Sequence, residues 1–225
     1  MYGIDYNIKR SRRKTLGIYI KGASVEVRAP LRMPAREIKA FVVSKADWIE
    51  KHLMAQRERE RLRGEFKLRE GTPLLYRGAE YPLRLAPARQ AGFNGEFFYA
   101  PRDLEQFSLR EALTDVYKRL ARNYLKQRTA EIAHELALAP SAVKVNSAKT
   151  RWGSCSGKNS VNLSWRLIMA GDDCIDYVIV HELAHIAEHN HSRRFWSIVE
   201  SALPGYKRQR SKLKLLAERL LAEGW

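Results

Sequence analysis

The chain has 225 residues, 45% of them hydrophobic and 10% aromatic, which is enough apolar surface to offset the entropy of ordering a core and argues against a disordered protein. Its longest apolar runs, such as Tyr177 to Val180, fall far short of the roughly 20 residues of a membrane-crossing helix. The formal net charge is +16, so the surface presents excess Lys and Arg that attract phosphates and acidic polymers without by themselves defining a function.

No apolar stretch leading to a small-residue cleavage site follows Met1, so no secretory signal is expected. The opening alternates apolar and polar: Ile4, Tyr6 and Ile8, then Leu16, Ile18 and Ile20, then Val25 and Val27, with turn signals at Lys21-Gly22 and Ala29-Pro30. Three short antiparallel strands are expected there. Pro34 then opens an amphipathic helix carrying Ile38, Phe41, Val42, Ala46, Ile49 and Leu53 at spacings of three and four, which runs out into the charged stretch Arg57 to Arg63. Gly71, Gly78, Gly92 and Gly95 separate short alternating pieces around Leu74, Leu83 and Phe98 and predict further strands and hairpins.

Past Pro101, Ser108 is placed to cap a long helix from about Leu109 to Leu138, with Leu113, Val116, Tyr117, Leu120, Tyr124 and Ile132 at helical spacing and Pro140 ending it. Val143 to Asn146 and Ser160 to Ile168 read as strands, the second alternating Val161, Leu163, Trp165 and Leu167 with Asn162, Ser164 and Arg166. A helix follows from about Ile175 and ends near Asn190; Ser192 caps another through Ala202; Pro204-Gly205 sets off a last basic amphipathic helix, Lys207 to Glu223. Strands first and helices later predict an α+β fold, with a strand-rich basic N-terminal region over 1–100 and a helical region over 101–225, packed as one unit. Two cysteines, Cys155 and Cys174, are too few for a disulfide framework, which points to a cytoplasmic protein with both thiols reduced and buried.

Four of the six histidines lie between Asp176 and His191, two of them in the motif H-E-x-x-H at His181 to His185. Residues four apart on a helix differ by about 40° in direction and one turn in height, so both imidazoles can reach one ion at roughly 2.0–2.1 Å. Glu182 projects to the flank of that pair, where its carboxylate can take a proton from water rather than occupy a coordination position. Zinc brings the pKa of such water to about 7, and a catalytic zinc usually has a third protein ligand. His189 continues the four-residue ladder but on a straight helix would stand about 12 Å above His181. His191 fits better if Asn190, which tolerates the left-handed conformation, ends the helix and turns the chain back; a Glu such as Glu188 is the remaining alternative.

With Arg151-Trp-Gly-Ser-Cys-Ser156 upstream, and Asn190-His-Ser192, Phe195-Trp196 and Pro204-Gly-Tyr-Lys207 downstream, the motif resembles the YgjP-like metallopeptidase family, relatives of the SprT-like and WLM zinc peptidases. The resemblance is firmest from about Thr150 to Lys207 and looser at the beginning, around Arg10, Arg13 and Leu16. It implies a zincin-like catalytic region, with the H-E-x-x-H helix near a small antiparallel sheet, one Zn2+ held by His181, His185 and His191, and Glu182 as the catalytic acid/base. Arg151 is a candidate substrate contact, since a guanidinium holds an anionic group and the neighbouring Gly153 lets backbone approach a ligand. Tyr206 is another, as a donor to a tetrahedral intermediate, unless it serves to anchor the last helix. The strand Ser160 to Ile168 offers a candidate edge for an extended peptide.

The leading expectation is therefore a zinc-dependent metallohydrolase of the peptidase type acting on a peptide or protein. One alternative is a metal-dependent nucleoside triphosphate pyrophosphohydrolase, motivated by the charge of +16 and by Arg151 near the motif. The other is a nucleic-acid-binding module with a structural zinc, motivated by the same basic surface although no helix-turn-helix or RNA-binding signature accompanies it. No membrane partner is expected, and the oligomeric state is left open.

Overall fold

The structure, a computed structural model, describes residues 4–225; the first three, part of the segment read for a signal, lie outside the described residues. The chain divides into two compact units, Met1–Phe66 with Leu221–Gly224, and Lys67–Leu220 with Trp225. The strands beyond Lys67 thus belong with the later helices.

In the first unit, β1 (Asn7–Ser11), β2 (Gly17–Lys21) and β3 (Ser24–Pro30) form a sheet of order β1-β3-β2. β2 and β3 are an antiparallel hairpin turning at Gly22, whose φ of +56° suits glycine. β1 runs parallel to β3, so the sheet is mixed where the alternation predicts antiparallel pairing throughout. Alternation reports the face a side chain takes, not the direction of the neighbouring strand, and the link between β1 and β2 is long enough to cross β3. Val25, Val27 and Ala29 on one face of β3 pack with Ile38, Val42 and Ile49 of two helices, α1 (Ala35–Ser44) and α2 (Ala46–Glu65). A single helix is predicted here; the break falls at Lys45, at φ −112° and ψ 13°. Arg10 Nη1 donates to the carbonyls of Pro30, Leu31 and Met33 at 3.1, 3.0 and 2.7 Å and ties down the passage from β3 to α1.

The second unit contains a sheet of order β4-β5-β7-β6, built from β4 (Pro73–Tyr76), β5 (Ala79–Ala86), β6 (Gly92–Phe93) and β7 (Phe98–Pro101). Its long helix α3 (Gln106–Glu135) buries Leu109, Leu113, Val116, Tyr117, Leu125 and Ile132 at helical spacing and starts after Glu105, ahead of Ser108. A second sheet, of order β8-β10-β9, combines β8 (Ala142–Asn146), β9 (Gly153–Cys155) and β10 (Ser160–Ser164). β8 is parallel and β9 antiparallel to β10. β10 is shorter than the predicted strand because the chain winds at Trp165 into a 3-10 turn through Met169, every residue of which is buried. Paired on both sides, β10 has no edge to offer; the outer strands are β8 and β9. Three helices complete the chain, α4 (Asp172–Ala187), α5 (Arg193–Ala202) and α6 (Lys207–Glu223). No helix among the described residues is long and apolar enough to cross a membrane.

Ion pairs fasten α4 to its surroundings at its N-terminal end. Arg128 of α3 donates from Nε and Nη2 to Asp176 at 2.8 Å each, a bidentate pair that is half-buried. Arg77 donates to Asp172 at 2.8 and 2.6 Å, and the Tyr124 hydroxyl adds a third bond to that carboxylate at 3.0 Å. The Arg77 guanidinium chiefly holds the Asp172 carboxyl below its ordinary value. Arg77 and Gly78, at φ of 49° and 79°, make the tight turn from β4 to β5. A Cβ on Gly78 would stand 2.8 Å from Gly171 Cα, at the start of α4. Gly78→Ala is therefore expected to destabilise the protein by about 2–4 kcal/mol, from left-handed strain plus overpacking. The check is a lower urea midpoint at unchanged slope; an unaltered midpoint would refute the close approach.

Candidate metal centre

Helix α4 forms because its apolar residues are continuous enough to bury most of its circumference: Ile175, Val178, Ile179, Leu183 and Ala184 are all buried, and Asp172 and Asp173 occupy the first turn, where negative charge meets the positive helix end. His181 and His185 emerge one turn apart, with ring centroids separated by 5.2 Å. The helix stops at Ala187 because Glu188 is extended, at φ −148° and ψ 106°. That differs from the expected left-handed turn at Asn190, which is not among the described residues with positive φ. The chain then reverses, and Ser192 Oγ accepts from Phe195 N at 3.2 Å to cap α5, as the sequence suggests.

The reversal brings His191 to the other two histidines. His191 Nε2 lies 3.1 Å from His181 Nε2, and one ligand atom from each of His181, His185 and His191 falls within 4.8 Å of the others. His189 is exposed and does not join this group, and neither does Glu188. The Glu188 carbonyl instead faces His185 Nδ1 at 3.2 Å; donating there leaves His185 Nε2 as the nitrogen with a free lone pair. Two bonds of roughly 2.0–2.1 Å at a tetrahedral angle separate their nitrogens by about 3.3 Å, close to the spacing of the His181 and His191 nitrogens. Three convergent imidazoles of this kind fit a borderline divalent ion better than magnesium or calcium, which prefer oxygen. Burial, reinforced by the neighbouring His185 and His191, pushes the His181 pKa down to about 4, so its lone pair is available at neutral pH.

Glu182 is buried and is not part of the three-histidine group. Its carboxylate lies against β9, where a Cβ added to Gly153 would stand 2.6 Å from Glu182 Cγ and 2.7 Å from its Oε1. Only glycine leaves room for strand and carboxylate together. The backbone N–H of Cys155 donates to the Glu182 carboxylate.

A family model described as the YgjP-like metallopeptidase domain matches residues 14–215. The chain belongs to the YgjP-like metallopeptidase family. Two solved structures are similar over part of it: the metallopeptidase zymogen abylysin of Pyrococcus abyssi, 21% identical, covers 44% of this chain and 93% of its own at a TM-score of 0.35. The zymogen jannalysin of Methanocaldococcus jannaschii, 22% identical, covers 42% of this chain and 96% of its own at a TM-score of 0.36. No curated protein matches the chain.

Residues that the motif does not name complete the centre of this YgjP-like chain. Phe195, fully buried, has its ring centroid 4.9, 4.5 and 4.7 Å from those of His181, His185 and His191, so all three imidazoles rest on one ring. The signal for it in the sequence is faint: an aromatic pair placed just after a helix cap. Trp196 stacks on His191 at 5.6 Å and on Tyr206 at 5.1 Å, and Tyr206 stacks on Tyr177 at 5.8 Å. Tyr206 is 6% exposed and lies in the aromatic stack between Trp196 and Tyr177. Arg151 is exposed, and its charge acts on Glu182.

Burial raises the Glu182 pKa from its ordinary 4.5 to about 7, against the smaller opposing effects of Arg151 and the Cys155 N–H. A folded value above the unfolded one means that folding favours the protonated carboxyl; its stabilising contribution is present below pH 4.5 and is lost as pH rises to 7. Glutamine mimics the protonated form at all pH. The metal-free Glu182→Gln protein is thus expected to match wild type near pH 4 and to exceed it at pH 8 by about 3 kcal/mol in urea unfolding. Equal stability at pH 8 would show that the carboxylate is not held in a poorly hydrated place.

Proposed function

We propose that the protein is a zinc-dependent metallopeptidase in which His181, His185 and His191 hold the ion and Glu182 is the general acid/base. The observation that carries this reading is the convergence of three imidazole nitrogens within 4.8 Å beside a buried carboxylate that takes no part in their grouping. A structural zinc has no use for such a carboxylate, whereas a hydrolase does.

Bound there, zinc would supply a Lewis acid that polarises a carbonyl and acidifies water. The chain's own residues do the rest. Glu182 accepts a proton as water adds to the scissile carbonyl and delivers it to the departing amine nitrogen. A pKa raised toward neutrality suits both halves of that exchange. The Cys155 N–H aims the carboxylate, and Gly153 keeps the space it occupies open. The open edge of β9 next to Glu182 suits an extended peptide, which would add main-chain hydrogen bonds there. Cys155 and Cys174 are both free thiols, in keeping with a reducing cytoplasm.

The test separates metal binding from proton transfer. Wild-type protein should carry one zinc by elemental analysis, and His181→Ala, His185→Ala and His191→Ala should each lose it. Glu182→Gln should keep its zinc and lose about 10²–10⁴ in kcat on an unstructured protein substrate. Gly153→Ala should move the same way, with zinc retained and kcat lowered, because the methyl group displaces the carboxylate. Full activity in Glu182→Gln would refute the assigned role.

A further inference from the structure

Two arginines near this centre form no ion pair among the described residues. Arg151 leads into β9 two residues before Gly153, the position that abuts the Glu182 carboxylate. Arg210, in the first turns of α6, has its guanidinium carbon 5.6 Å from the Trp196 ring centroid, and that ring stacks on His191. Both charges are felt inside: Arg151 acts on Glu182 and Arg210 on His181. Among the described residues neither guanidinium forms an ion pair, in contrast to Arg77 and Arg128, which each grip an aspartate of α4 at 2.8 Å or less. The segments around the centre, 147–151 and 188–210, contain seven Lys and Arg but only two acidic residues, Glu188 and Glu200. Glu200 is occupied, accepting from Gly205 N at 3.1 Å.

We propose that this centre selects acidic peptides, and that Arg151 and Arg210 are its specificity-determining residues, each placed to meet an Asp or Glu side chain or a terminal carboxylate near the scissile bond. The proposal rests on the peptidase reading above. A guanidinium fork takes a carboxylate in a bidentate pair, and Arg151 and Arg210, both exposed, are open to an incoming one. Two cations near one centre also add their positive potential there and draw an anionic chain in.

The experiment uses the zinc-loaded full chain and matched internally quenched peptides that differ only in carrying Glu, Ala or Lys beside the scissile bond. The Glu peptide should exceed the Ala peptide in kcat/KM by about 10- to 100-fold, the Lys peptide should fall below both, and added salt should narrow the spread. Arg151→Gln and Arg210→Gln should each reduce the Glu-to-Ala ratio, and Arg151→Glu with Arg210→Glu should invert the preference toward Lys. Arg210→Lys, which keeps the charge but not the fork, should restore part of the ratio. A second readout needs no turnover: the Glu peptide should bind zinc-loaded Glu182→Gln protein more tightly than the Ala peptide does, measured by fluorescence anisotropy. Equal cleavage of Glu and Ala peptides, with the ratio untouched by the arginine substitutions, overturns the proposal and leaves the peptidase reading standing. Failure to cleave any of the three peptides overturns both. Pyrophosphate release from a nucleoside triphosphate that depends on Arg151, without selective peptide cleavage, would show that these cations serve a phosphate instead.

Discussion

One nitrogen from each of His181, His185 and His191 lies within 4.8 Å of the others, close enough for the three to share one ion. At 3.1 Å the Nε2 atoms of His191 and His181 share an N–H···N hydrogen bond when one ring carries its proton there, and with both lone pairs turned inward they would call for a cation between them. Much of the surrounding structure serves to hold them there. Helix α4 ends at Ala187 rather than continuing; the extended Glu188 both stops it and offers its carbonyl to His185; Ser192 caps the next helix so that Phe195 arrives under all three rings. Moving any of these would shift at least one imidazole out of the group.

The buried carboxylate is a second constraint, and it runs against stability. Glu182 sits where ionisation is disfavoured, and Gly153 leaves no room for a side chain opposite it. Such a cost is tolerable because α4 is fixed at its other end, by Arg77 and Tyr124 on Asp172 and by Arg128 on Asp176, about two turns from Glu182. The stabilising charges and the destabilising one are thus separated along a single helix.

The excess positive charge is likewise not one uniform property. Some of it is neutralised in the frame, as in the Arg128 pair with Asp176 and the Arg61 contacts with Glu58 and Glu65. Arg10 is spent on backbone carbonyls. Arg151 and Arg210 belong to neither kind, and a composition-level charge of +16 cannot tell these roles apart.

The chain's own order of residues was sufficient for whatever depends on local spacing. H-E-x-x-H on an apolar helix, the Ser192 cap, the long helix beginning near Leu109 and the alternation of the first strands all follow from periodicity, because neighbours on a helix or strand are set by bond geometry alone. His191 was legible only conditionally, since its approach required the helix to stop, and the residue that stops it is Glu188 rather than Asn190. What tertiary structure decided was everything that depends on which segments meet: the parallel placing of β1, the central position of β10 that leaves β8 and β9 as the outer strands, the glycine against Glu182, the phenylalanine beneath three histidines and the arginine over Trp196. Those partners are tens of residues apart or joined across a turn, and no local period encodes a meeting that only the packing of a folded core enforces.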